Sequence, residues 1–113
     1  MTAPQTVADV LDAAADLLEK PKGWTQKTSA RDFKGREVPA SSPSATCFCV
    51  MGAIARVVGD NSSVRQSEAR DRLRPLLPTF YISDWNDAPG RTQSEVVAAL
   101  RAAATSARQG ETK

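Results

Sequence analysis

Residues 47–58, Cys-Phe-Cys-Val-Met-Gly-Ala-Ile-Ala-Arg-Val-Val, carry a single charge at Arg56, and this run constrains the fold more than any other. A stretch that is apolar around its whole circumference is stable only when surrounded by protein. A chain of 113 residues has room for one modest core, so a single domain is expected, with this segment at its centre. Its length and its Gly-Ala-Ile-Ala stretch favour a helix over residues 45–58. Ser42 or Ser44 is the expected N-cap, Pro43 fits the first turn, and Gly59 is the expected stop. A buried strand over residues 48–51 is the competing reading. Gly52 in mid-helix costs about 1 kcal/mol relative to alanine. That cost signals another backbone passing close by, either the loop around Trp85 or the first helix.

The flanking sequence supplies the shell. Over residues 6–20, Val7, Val10, Leu11, Ala14, Leu17 and Leu18 recur at helical spacing, leaving Asp9, Asp12, Asp16 and Glu19 for solvent. Thr6 with Asp9 forms a capping pattern, and Pro21 ends the helix. Residues 24–38 read as a small β-hairpin or an extended segment turning at Asp32-Phe33-Lys34-Gly35, with Trp24 and Phe33 as its anchors. Residues 40–45 form a linker and residues 60–63 a polar turn. A third helix runs from Ser63 or Ser67 toward Arg74, with Ala69, Leu73, Leu76 and Leu77 inside, and Pro75 and Pro78 break its end. Residues 79–82 are β-prone and residues 83–91 a turn-rich loop. Thr92 and Glu95 form a capping box for a last helix with Val96, Leu100, Ala103 and Ala107 as its stripe, and residues 109–113 are expected to fray. The expected fold is mainly α (α+β): about four helices around the central one, in one domain spanning residues 1–113.

Composition removes whole classes of chemistry. The chain contains no histidine, so no Ser-His-Asp or Cys-His pair and no HExxH zinc site is possible. Two cysteines are too few for a structural zinc site, and no metal or cofactor is expected. Fifteen basic against thirteen acidic residues leave a net charge of +2, too small for a strong global pull toward nucleic acid. Met1-Thr2-Ala3-Pro4 offers no positive n-region, and no apolar run reaches the length of a membrane span. These features predict a cytoplasmic protein with reduced thiols that does not associate with membranes.

Three sets of residues are candidates for function. The loop around Trp85, Asn86, Asp87 and Arg91, together with Trp24, reads either as a rigid recognition loop or as a structural tie. Pro89-Gly90 specifies a type II turn within it. Cys47 and Cys49, near a helix start, read either as a nucleophile served by Asp84 or Asp87, or as buried thiols. Arg65, Arg70, Arg72 and Arg74 read either as a phosphate-binding stripe or as a solvated face, partly neutralised by Glu68 and Asp71.

The ordered series Gly23-Trp24-Thr25-Gln26, Ala30-Arg31-Asp32-Phe33-Lys34-Gly35-Arg36, Cys49-Val50-Met51-Gly52-Ala53, Trp85-Asn86-Asp87, and Arg91-Thr92 with Glu95-Val96 resembles a family of small domains of unknown function found in actinobacteria and their phages. The resemblance runs from the first helix to the last. It implies a single-domain protein in a phage or mobile-element setting and carries no activity. The expected function is a non-enzymatic protein-binding module acting on a host protein. The alternatives are a small enzyme or ligand binder using Cys47 or Cys49 with Asp87, Asn86 and Arg91, and a nucleic-acid accessory protein using the Arg65 to Arg74 face. A homodimer through the alanine-rich last helix remains open.

Overall fold

A computed structural model describes residues 6–59 and 62–111, with the side chain of Glu111 outside the description. The described order is α1 (Val7–Glu19), β1 (Ala30–Arg31), β2 (Glu37–Val38), β3 (Cys47–Phe48), α2 (Val50–Val58), α3 (Ser63–Leu73), a single 3-10 turn (Arg74–Leu76), α4 (Ile82–Asp87) and α5 (Gln93–Glu111). The domain is mainly helical, with a small three-stranded antiparallel sheet ordered β2-β1-β3. No helix among the described residues is long and apolar enough to cross a membrane.

Local chemistry starts and stops the helices. The Thr6 hydroxyl accepts from the Asp9 amide at 3.0 Å and opens α1. The chain leaves α1 through Lys20, Pro21 and Lys22, the last at φ 58°. Thr92 and Glu95 make the reciprocal bonds of a capping box at the start of α5, at 2.9 and 3.2 Å. Residues 109–111, expected to fray, continue α5, and the rest of that expected tail lies outside the described residues.

α1 packs along α5 in antiparallel sense, since Gln93 bonds the carbonyls of Leu18 and Lys20 while Arg108 reaches Asp9. Leu11, Leu18, Ile54, Leu73, Val96 and Leu100 are fully buried where α1, α2, α3 and α5 meet. Of the acidic residues assigned to solvent on α1, Asp16 and Glu19 are exposed and Asp9 and Asp12 half-buried, and all four also pair with α5. Arg101 meets Asp12 at 3.0 Å and Asp16 at 2.7 Å, and Arg108 meets Asp12 at 2.6 Å. Partial burial pushes the Asp12 carboxyl up, but bonds from Arg101 and Arg108 and their charges outweigh it and hold its pKa below the ordinary value. A carboxylate depressed in the folded state stabilises above its unfolded pKa, and that contribution disappears as pH falls through the folded value. An Asp12→Asn variant should therefore melt below the parent at neutral pH, with the gap closing as acidification carries the pH through the depressed pKa of Asp12. A gap independent of pH would assign the loss to packing.

The apolar run departs from the expected continuous helix. Cys47 and Phe48 form β3 against β1, and Cys49 takes the N-cap position, so the helix starts at Val50 rather than at residue 45. The cap is Cys49 itself, whose sulfur accepts from the Gly52 amide at 3.3 Å, and not Ser42 or Ser44. Gly59, at φ 74°, ends α2 as expected. Arg56 spends its charge on the carbonyls of Ala40 and Ser42, at 3.0 and 2.8 Å, which tethers the preceding linker. The backbone that approaches Gly52 belongs to Ser29, not to the Trp85 loop or α1; a Cβ at Gly52 would overlap the Ser29 carbonyl.

The hairpin is shorter than expected and shifted. Its first strand is Ala30–Arg31, and Trp24 makes only a single parallel bridge to Phe48. The turn forms where expected because Asp32, buried at 5% exposure, accepts from the amides of Lys34 and Arg36 and from the Arg36 guanidinium. Phe33 does not anchor it: its side chain stands 78% exposed at the tip of the turn. Leu76, placed inside from the sequence, is 46% exposed, because the 3-10 turn rotates it off the face of α3.

Candidate functional site

Most of the residues singled out by sequence converge on the junction between residues 24–29, the start of α2 and α4. The stretch expected as a loop over residues 83–91 is helical through Asp87, and this helix carries Trp85 and Asn86 inward. Asn86, at 1% exposure, is the hub. Its side-chain oxygen accepts from the Trp24 indole at 2.8 Å and from the Val50 amide at 3.2 Å. Its amide nitrogen donates to the Thr25 carbonyl and to Asp87. Gln26 donates to the carbonyls of Asn86 and Ala88, at 3.0 and 3.2 Å. Asp87 in turn accepts from the backbone amide of Lys27 at 2.8 Å, a residue held at φ 72°. Every polar atom of Asn86 is thus engaged within the protein, and the indole of Trp24 is engaged with it.

Beside this hub lies a hollow of about 370 Å³ lined by Lys27, Ser29, Cys49, Met51, Ser83 and Asp87, among others. Cys49 sits at its edge, 8% exposed. Burial pushes its thiol up; the amides of Gly52 and Met51 pull the other way, and the charge of Asp87 adds to the upward shift. A carboxylate that disfavours the thiolate is the opposite of an activating base. Cys47 is not in the hollow: its sulfur faces the Arg31 carbonyl at 3.8 Å, and both thiols are free. Iodoacetamide should therefore modify half-buried Cys47 first and Cys49 about tenfold more slowly, the difference vanishing on unfolding. Equal rates in the folded state, read by mass spectrometry, would restore Cys49 as a nucleophile. Among the described residues no group of His, Cys, Asp and Glu side chains is arranged to hold a metal ion.

Arg91 is not among the residues that line this hollow. Its guanidinium stacks on the indole at 4.4 Å, donates to the Trp85 carbonyl at 2.9 Å and pairs with Glu95 at 3.3 Å. The type II turn forms as its residues specify, with Gly90 at φ 84° and the Arg91 amide bonded to the Ala88 carbonyl. Trp85 itself is 6% exposed and belongs to the core.

Arg65, Arg70 and Arg72 of α3 and Arg74 of the 3-10 turn after it do not make one stripe. At 3.6 residues per turn, Arg65 and Arg72 share one side of the helix, and Arg70 and Arg74 the other. Arg72 lies along Gly110 of α5, where an added Cβ would sit 3.5 Å from its guanidinium. Arg74 folds back on the chain: Nε donates to the Phe80 carbonyl at 3.1 Å, Nη1 pairs with Asp71 at 2.8 Å, and the guanidinium covers the Phe80 ring at 5.1 Å.

That contact marks a feature the sequence reading missed. Residues 79–82, expected to be β-prone, form a bend into α4. It leaves Phe80 and Tyr81 exposed at 67% and 63%, their rings edge to face at 5.1 Å. Two hollows, of about 390 and 560 Å³, adjoin across Phe80 and Arg74.

The sequence model of a family of unknown function, DUF6197, matches residues 2–106. The chain belongs to this family. No curated protein and no solved structure matches it. In this DUF6197 chain the match reaches from before α1 to within α5, so the Asn86 hub, the Cys49 hollow and the Phe80 corner all lie inside it. Gln26 and Lys27 are the hub residues that sequence reasoning did not single out as a site. They stand about sixty positions from their partners on α4, and no local signal announces such a bond.

Proposed function

We propose that this chain is a non-enzymatic protein-binding module that docks its partner at the Phe80–Tyr81 corner. The observation that carries the reading is the exposure of two adjacent aromatic side chains beside two hollows. Large aromatics are the side chains that most often anchor protein interfaces, and leaving them together in water is unfavourable without such a use. The Trp24, Trp85, Asn86, Asp87 and Arg91 cluster is then the frame that fixes α4 and hence the corner, rather than the contact surface. Against an enzyme stand the protonated, buried thiol of Cys49 and the engaged carboxylate of Asp87. The partner in this reading is a host protein met in the cytoplasm, in the phage or mobile-element setting that the sequence resemblance implies.

The test is capture from host lysate with the parent protein and with a Phe80→Ser/Tyr81→Ser variant as baits. Both side chains are exposed, so the variant should unfold within about 1 kcal/mol of the parent. A partner retained by the parent and lost by the variant is the expected result. A partner held equally by both baits overturns the reading.

A further inference from the structure

We propose that the Phe80–Tyr81 corner takes a short extended peptide bearing two apolar side chains and, beyond them, a lysine or arginine. This rests on the docking reading above and adds the chemistry of the occupant. The two hollows share Phe80 and Arg74 as a common wall. One is lined by Met51, Tyr81 and Ile82, the other by Pro75, Leu77 and Pro78, so both floors are apolar. An extended chain presents side chains to one face at every second residue, about 7 Å apart. The Phe80 ring, with the Arg74 guanidinium against it, separates the hollows, so residues i and i+2 of such a chain straddle this pair, which fills the gap beneath the residue between them.

Charge fixes the third element. Arg74 is spent on Asp71, the Phe80 carbonyl and the Phe80 ring, and its pairing cancels Asp71. Asp84 stands exposed at the α4 end of the first hollow and makes no ion pair among the described residues. The neighbouring Cys49 hollow adds Lys27 and Asp87, of opposite sign. The corner therefore carries one unbalanced negative charge, and it complements a cation. The same sign disfavours a second copy meeting it face to face, and it disfavours a phosphate backbone.

The probes are labelled peptides of pattern Leu-x-Leu-x-Lys, Leu-x-Leu-x-Glu and Ser-x-Ser-x-Lys in a Gly/Ser background, titrated by fluorescence anisotropy at low salt. The Leu/Lys peptide should bind about fivefold more tightly than its Glu counterpart, as expected for an exposed charge, and the preference should shrink with salt. The Ser peptide should not bind. Asp84→Asn should bring the Lys-to-Glu ratio toward one while keeping Leu-dependent binding, and Phe80→Ser should abolish binding. Both variants change exposed side chains, and unaltered melting curves verify that they fold. Equal binding of the Lys and Glu peptides, or no binding at millimolar peptide, overturns the inference. So does a sedimenting dimer that Phe80→Ser dissolves, which would give the corner to a second copy. A captured partner that depends on Phe80 while no peptide preference appears defeats this inference alone. Loss of the Phe80 dependence in the capture experiment defeats the docking reading as well.

Discussion

Replacing Asn86 by alanine should lower the melting temperature by about 20 °C, corresponding to roughly 4 kcal/mol in a domain of this size. The side chain satisfies the Trp24 indole and the Val50 amide through one oxygen, and the Thr25 carbonyl through its nitrogen. Alanine takes the shared partner from all three groups at a position that is itself 1% exposed, where each buried orphan costs about 1–3 kcal/mol. The loss does not stop at the hub, because the Asn86 side chain ties Trp24 and Thr25 to α4, beside the bonds that Gln26 and Lys27 make there. The amide protons of Trp24 to Lys27 should lose protection from hydrogen exchange well before those of α1 and α5. Asn86→Asp is the sharper variant. It keeps the shape and the acceptor but places a second carboxylate beside Asp87, 2.9 Å from its oxygen, where the parent has an N–H donor. A loss comparable to alanine is expected at neutral pH. A melting temperature within a few degrees of the parent for both variants would show that the hub contributes little.

Gly52→Ala should be nearly as damaging, although alanine is the better helix former by about 1 kcal/mol. Gly52 lies in the first turn of α2 with ordinary helical φ, so the requirement is space and not backbone freedom. The Ser29 carbonyl occupies the position of the missing Cβ, and its carbon would lie 2.8 Å from that methyl. Backbone cannot rotate aside as a side chain can. Either residues 28–30 move off the helix, breaking the Cys49 amide bond to the Ser29 carbonyl, or α2 shifts against α1. A cost of about 3 kcal/mol follows, at the upper end of overpacking in protein interiors. Stability equal to or above the parent would show that the segment before β1 moves freely.

These two positions show how much of the fold could be read before the structure. Caps and turns were legible wherever their chemistry is local: Thr6 with Asp9, Thr92 with Glu95, Pro89-Gly90, and the Asp32 to Gly35 turn all lie within a few residues of their partners. Gly52 announced a close backbone, but not whose, because Ser29 is brought there by the hairpin and not by sequence proximity. The split of the apolar run was hidden because a segment without polar residues has no period. Strand, cap and helix then look alike until β1 supplies the partner for Cys47 and Phe48. The α4 segment reads as a loop since Ser83, Asp84, Asn86 and Asp87 are turn-formers. Its single helical turn and a half is held by bonds to Trp24, Gln26 and Lys27 that only the folded chain creates. The acidic side of α1 looked like a solvent face for the same reason, its partners Arg101 and Arg108 being about ninety positions away. The Phe80 corner was invisible for the opposite reason. Aromatic residues are expected inside, and nothing local says that Pro75 and Pro78 will route them out.

The lengthwise pairing of α1 with α5 has a consequence for how the chain is made. α1 finds its main partner in α5, the described helix farthest from it along the chain, so the side facing α5 waits while everything between them is synthesised. α2 and α3 cover part of α1 earlier, but the part facing α5 stays bare until α5 has left the ribosome. Closing of this pair is accordingly expected to be slow for so helical a molecule, with holdase chaperones binding nascent chains at the α1 stripe.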